Sequence, residues 1–154
     1  MADKIEKMNI GFPERKWLAD TLEGGYIGHG PGPEDVAALL PSLTLVRYSD
    51  GAEIVVEGER GKELFFLYKG GAAVKKAKLL FGKKGVARLK PGDFFGEVSF
   101  LVQAPRSATV AAEGKTEVFR LAPGEFQALL EKHPDIASHL EETARRRMQK
   151  LSEA

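Results

Sequence analysis

Apolar and polar positions change rhythm twice along this chain. Up to about residue 22, Ile5, Met8, Ile10, Phe12, Trp17, Leu18 and Leu22 are set among charges. Trp17, Leu18 and Leu22 fall at helical spacing, which predicts a short amphipathic helix after Pro13. Gly24 to Pro33 is rich in glycine and proline and reads as loop. A second helix starts at Pro33-Glu34-Asp35, with Val36, Leu39 and Leu40 on one face, and Pro41 ends it. From Leu43 to Leu121 the period shortens to that of strands: Leu43–Tyr48, Glu53–Val56, Glu63–Lys69, Ala72–Lys78, Gly85–Leu89, Ser107–Ala112 and Thr116–Arg120. Between them lie glycine-bearing turns, in which Gly51, Gly58, Gly70 and Gly92 are expected at positive φ. After Pro123 the helical period returns, with Phe126, Leu129 and Leu130 on one helix. His133-Pro134 interrupts it, and a further helix runs from near Asp135 almost to the end. Many short strands at this spacing argue for a closed or double-sheet structure such as a jelly roll.

Composition narrows the class. At 154 residues the chain suits a single domain with a genuine core. Twenty-three basic and 22 acidic residues leave a net charge of +1, so no global field recruits nucleic acid or an acidic membrane. Lys75-Lys76 and Lys83-Lys84 read as solvated charges, too few and without the interleaved aromatics of a nucleic-acid groove. Cysteine is absent, which excludes disulfides, thiolate nucleophiles and thiolate metal sites. No apolar run approaches the ~20 residues of a membrane span. Met1-Ala2-Asp3-Lys4 lacks the apolar core of a secretory signal, so a cytoplasmic protein is expected.

Candidate chemistry concentrates in the stretch from Phe94 to Val110. Gly96 permits a backbone conformation that a side chain would forbid. The short apolar run Val98 to Leu101 could form one helical turn with free N–H groups, Ser99 among them, aimed at an anion. Glu97 opens that turn as an acceptor for sugar hydroxyls. Pro105 sets the chain direction before Arg106, whose planar guanidinium suits a pair of phosphate oxygens. Ser107 adds a hydroxyl and a backbone N–H. A phosphate attached to a sugar fits this set; a purely apolar ligand does not.

The same residues, Phe-Gly-Glu-Val-Ser-Phe and then Pro-Arg-Ser-Ala-Thr-Val, resemble the phosphate-binding cassette of the cyclic nucleotide-binding domain family, with weaker likeness from about Asp35 to about Leu151. The resemblance implies a mainly β fold with flanking helices: an eight-stranded jelly-roll-like β-roll, a short N-terminal helix, a short cassette helix and two C-terminal helices. It divides the chain into an arm and Gly/Pro-rich loop over 1–32 and a nucleotide-binding domain over 33–154. It also implies a ligand-binding set of Phe95, Gly96, Glu97, Val98, Ser99, Pro105, Arg106, Ser107 and Ala108, with Glu97 on the ribose hydroxyl and Arg106 on the cyclic phosphate. Ser107 stands where threonine is associated with cGMP preference, and serine, common in cAMP-binding members, inclines the reading to cAMP without excluding cGMP. No cofactor and no metal are implied. Phe94 and Phe95 read first as rim packing.

Arg147 joins the set on helical geometry. Ile136, Leu140, Ala144 and Leu151 form one stripe at 100° per residue, and Arg147 falls within it. A guanidinium in an apolar stripe wants a partner, and a purine face is one. The last helix acts as a lid in the resembled family, so a non-catalytic sensor that signals to an unidentified protein effector is expected. A metal enzyme of the cupin type is disfavoured because His29, His133 and His139 all lie outside the predicted roll. Direct DNA regulation is disfavoured because the residues after Pro134 are consumed by one helix. A roll that has lost nucleotide binding and serves as an interaction module is the remaining alternative. Trp17 marks the first segment either as a packing arm or as a partner-binding element.

Overall fold

The computed structural model of the chain describes residues 5–24, 37–77, 82–97 and 104–152. Among these, seven strands form one antiparallel sheet: β1 (Ile5–Met8), β2 (Leu43–Tyr48), β3 (Glu53–Val55), β4 (Leu64–Ala77), β5 (Lys83–Leu89), β6 (Phe94–Phe95) and β7 (Thr109–Leu121). The central path runs β1-β2-β7-β4-β5, with β3 added on β7 and β6 on β4. Helix α1 (Phe12–Gly24) precedes the roll, and α2 (Pro123–Lys132) and α3 (Pro134–Ser152) follow it. No described helix is long and apolar enough to cross a membrane.

Two pairs of segments that the sequence separates by turns are continuous strands. The runs 63–69 and 72–78 merge into β4, and 107–112 and 116–120 merge into β7. The cause is a bulge where a turn was expected. Gly70, at φ +94°, falls where the β4–β7 register slips between Lys69↔Glu117 and Gly71↔Glu113. A β-carbon there would sit 2.6 Å from the Lys115 carbonyl oxygen, so only glycine lets the strands pass this closely. The other three glycines expected at positive φ, Gly51, Gly58 and Gly92, also adopt it.

Strand β1 was not expected at all; it pairs with β2 from Ile5↔Tyr48 to Met8↔Leu45. The helix expected from Pro33 begins outside the described residues, and its end turns into a 3-10 turn at Leu40–Ser42 that holds Pro41 in its first positions. The Gly24–Pro33 loop and His29 lie largely or wholly outside the described residues.

Two apolar clusters fill the molecule. One joins Leu18 and Leu22 of α1 to Leu64, Phe66, Phe94 and Phe119 of the sheet and to Phe126, Leu129, Leu130, Ile136 and Leu140 of the last two helices. Trp17 packs on it, its ring 4.8 Å from Tyr68 and 5.9 Å from Phe119. The other lies across the roll and contains Val55, Phe65, Leu67, Leu89, Phe95, Val110 and Val118. Burying each large side chain stabilises the fold by roughly 1.5–3 kcal/mol. Ile136, Leu140 and Ala144 of the stripe expected on α3 are buried, and Arg147 continues their line half-buried; the side chain of Leu151 lies outside what is described.

Candidate functional site

Arg106 is fixed from both sides of the chain. Its N–H donates to the Glu59 carbonyl at 2.8 Å, and its carbonyl accepts from Gly58 N–H at 2.8 Å, tying it to the turn between β3 and β4. The guanidinium then reaches inward. Its two terminal nitrogens donate to the carbonyls of Gly96 (3.3 Å) and Glu63 (3.2 Å), and its centre lies 5.5 Å from the Phe65 ring. Close approach depends on two glycines. A β-carbon on Gly61 would stand 2.7 Å from the guanidinium, and one on Gly96, at φ +87°, would stand 2.9 Å from the Glu63 carbonyl oxygen. Burial, the largest influence, holds the Arg106 guanidinium below its ordinary value; Glu63 opposes that, Arg120 adds to it, and Glu97 opposes it in turn. An arginine keeps its charge through such a shift. With five donors and two spent on carbonyls, it retains donors for a ligand.

Behind Arg106 lies a second charged group. Arg120 donates to the Glu63 carboxylate at 2.7 Å and sits 5.7 Å from the same Phe65 ring. Burial lowers the Arg120 value, but its hydrogen bond to Glu63 and its contact with Tyr48 outweigh that and raise it.

Glu97 follows β6 and Gly96 and is only 3% exposed. Its Oε2 pairs with Arg147 of α3 at 2.8 Å. The Arg147 guanidinium also lies 5.1 Å from the Phe94 ring, which meets His139 of α3 edge-on at 5.9 Å. Arg106, Glu97 and Arg147 thus face one cleft.

Of the residues expected to bind ligand, Phe95, Gly96, Glu97, Arg106, Ser107, Ala108 and Arg147 all line this cleft. Pro105 is exposed and does not line it. Val98, Ser99 and the short cassette helix lie outside the described residues. Sequence reasoning missed the apolar wall of Val74, Val86, Ala87 and Leu89, contributed by β4 and β5, and Lys150 one helical turn beyond Arg147. Alternation along those strands groups Val74, Ala87 and Leu89 without saying which side is inward, and Val86 breaks the alternation where the β4–β5 register slips. Lys150 could have been found from the i, i+3 spacing that puts it beside Arg147.

The model of the cyclic nucleotide-binding domain matches residues 45–133, more than half of the chain. The chain belongs to the cyclic nucleotide-binding domain family. Within that family, it is 46% identical over 85 residues to a cAMP-dependent protein kinase regulatory subunit of Mycosarcoma maydis, covering 55% of this chain and 16% of that protein. It is 30% identical over 127 residues to the cyclic AMP receptor protein of Thermus thermophilus, covering 82% of this chain and 59% of that protein. The chain therefore spans less than two thirds of the length of either relative. A solved cyclic nucleotide-binding domain from Methylobacillus flagellatus shares the fold, with a TM-score of 0.74 and 20% identity over 96% of this chain and 82% of that one.

Proposed function

We propose that this cyclic nucleotide-binding domain is a non-catalytic sensor of cAMP. The observation that carries the proposal is the meeting, in one largely apolar cleft, of a buried arginine with spare donors and a buried carboxylate. Arg106 would neutralise the cyclic phosphate, Glu97 would accept the ribose hydroxyl, and the base would lie against Val74, Val86, Ala87 and Leu89. The names of the Mycosarcoma and Thermus relatives support cAMP as the ligand. Ser107 lines the same cleft and leaves cGMP as the second reading. The division into an arm (1–32) and a binding domain (33–154) belongs to this proposal, as does a cytoplasmic location.

Helix α3 contributes Arg147 and Lys150 to the cleft wall, so a bound nucleotide would touch it directly. A ligand that binds better to one position of α3 shifts the population toward it, and a protein effector would read that position.

Isothermal titration with cAMP and then cGMP, on protein confirmed free of co-purified ligand, tests this. Saturable binding is expected, weakened by Arg106→Ala at least about tenfold because a charge-assisted contact is lost. No heat and no thermal shift with either nucleotide would overturn the sensor and leave a β-roll interaction module.

A further inference from the structure

We propose that the chain carries a second ligand site, for a short-chain monocarboxylate, in the cavity that β1, β2 and the end of β7 form. The site goes beyond the nucleotide reading and does not depend on it.

The cavity follows from strand register. Residues directly opposite one another on neighbouring strands share a face, and so do residues two apart on one strand. Lys7 stands opposite Val46, Ile5 opposite Tyr48, and Thr44 opposite Arg120, which in turn pairs with Phe65 of β4. Val46, Tyr48 and Phe65 belong to the apolar cluster inside the roll, so Ile5, Lys7, Thr44 and Arg120 lie on that same side. At β1 the sheet ends and this side opens, leaving Ile5 58% exposed. Ile5, Lys7, Thr44, Val46, Glu63 and Arg120 line a cavity of about 410 Å³ there, within the range of small-molecule sites. None of them lines the nucleotide cleft.

The charges of the cavity define its ligand. Lys7 and Arg120 bring two positive groups and Glu63 one negative, so a singly charged anion neutralises the set, whereas a phosphate dianion would overshoot beside the Glu63 carboxylate. Arg120 donates to Glu63 at 2.7 Å and also bonds Tyr48. Those contacts hold its planar fork and leave donors among its five for a carboxylate. Lys7 is exposed and forms no ion pair among the described residues. Glu63 is already satisfied by Arg120, so the cavity asks for no ammonium group on the ligand. Ile5 and Val46 offer the rest of the ligand an apolar surface of two side chains, enough for a chain of a few carbons.

Titration of the isotopically labelled full chain with sodium butyrate, followed by backbone amide chemical shifts at neutral pH and constant ionic strength, tests the site. Saturable shifts are expected at Lys7, Thr44 and Arg120. Lys7→Glu, at an exposed position, should keep the melting temperature and weaken butyrate binding at least about fivefold, because a charge-assisted contact becomes a repulsion. Arg120→Lys keeps the charge but loses the fork, and should weaken binding about threefold or more. Arg106→Ala should leave it within about twofold, as for sites without shared partners. Acetate, two methylenes shorter, should bind at least about fourfold more weakly than butyrate, and inorganic phosphate should also bind more weakly than butyrate. The inference is overturned by the absence of a saturable shift, or by butyrate binding that Lys7→Glu leaves unaltered. Shifts that centre on Gly96 to Ser107 and vanish in Arg106→Ala would overturn it in favour of the nucleotide cleft. An equal response to acetate, butyrate and phosphate would overturn it as well, being the mark of unspecific attraction to surface charge.

Discussion

Single residues in this molecule hold positions that their neighbours cannot share. Gly96 is the sharpest case: its φ is +87°, and a β-carbon there would stand 2.9 Å from the Glu63 carbonyl oxygen and 3.0 Å from an Arg106 nitrogen. Gly96→Ala should cost about 1–3 kcal/mol of stability through backbone strain. It should also push Arg106 out of register, so nucleotide affinity falls along with the melting temperature. Thermal denaturation and titration of one preparation check both. Tyr48 supplies a pH dependence. Burial, the main influence, raises its hydroxyl above the ordinary value of 10.0, against the pull of Arg120. The unfolded chain then gives up that proton at lower pH than the folded one. The Tyr48 contribution is therefore intact below about pH 10 and is lost as the pH rises through the unfolded and then the folded value. Alkaline denaturation of the protein should show this decline, and Tyr48→Phe should flatten it.

At the scale of elements, helix α3 shows what periodicity alone could establish. Ile136, Leu140 and Ala144 were placed on one face by counting, and they are the buried face. Leu140→Ala, at a position 1% exposed, should cost about 2–5 kcal/mol and lower the melting temperature accordingly. The partner of Arg147 was not legible in the same way. The stripe showed that a guanidinium needed company, but Glu97 lies far off in sequence, and only the packing of α3 on β6 joins them. Strand continuity was similarly hidden, because Gly70-Gly71 and Glu113-Gly114-Lys115 carry the same residues in a bulge as in a turn. Phe94-Phe95 is too short a run to announce a strand, yet it pairs with Phe66 and Phe65 of β4. Gly96, Glu97, Arg106 and Ser107 could be singled out from the sequence because their order along the chain is itself a motif, and the structure brings them to one cleft. The wall of the cleft could not, since Val74 and Leu89 are ordinary strand residues until the β4–β5 pairing turns them inward.

Across the whole molecule, the first segment is bound into the roll at two places. Strand β1 extends the sheet through β2, and α1 buries Leu18 and Leu22 with the last two helices. Trp17→Ala should therefore destabilise the protein, at the lower end of the ~3–5 kcal/mol typical of a buried tryptophan because the indole is only partly buried. Its ring contacts are with Tyr68 and Phe119, and neither of them lines the cleft. Nucleotide affinity should accordingly change by less than about twofold, as for sites without shared partners; chemical denaturation and titration separate the two effects.

The division into two apolar clusters runs through individual strands. Along β4, Leu64 and Phe66 face the helices, while Phe65 and Leu67 face the cleft side; in β6, Phe94 and Phe95 part in the same way. Neighbours on the chain are strangers in space. Mutational drift on the ligand side could re-letter the pocket for another small molecule while the opposite side keeps the helices seated. One scaffold of this kind can carry many vocabularies.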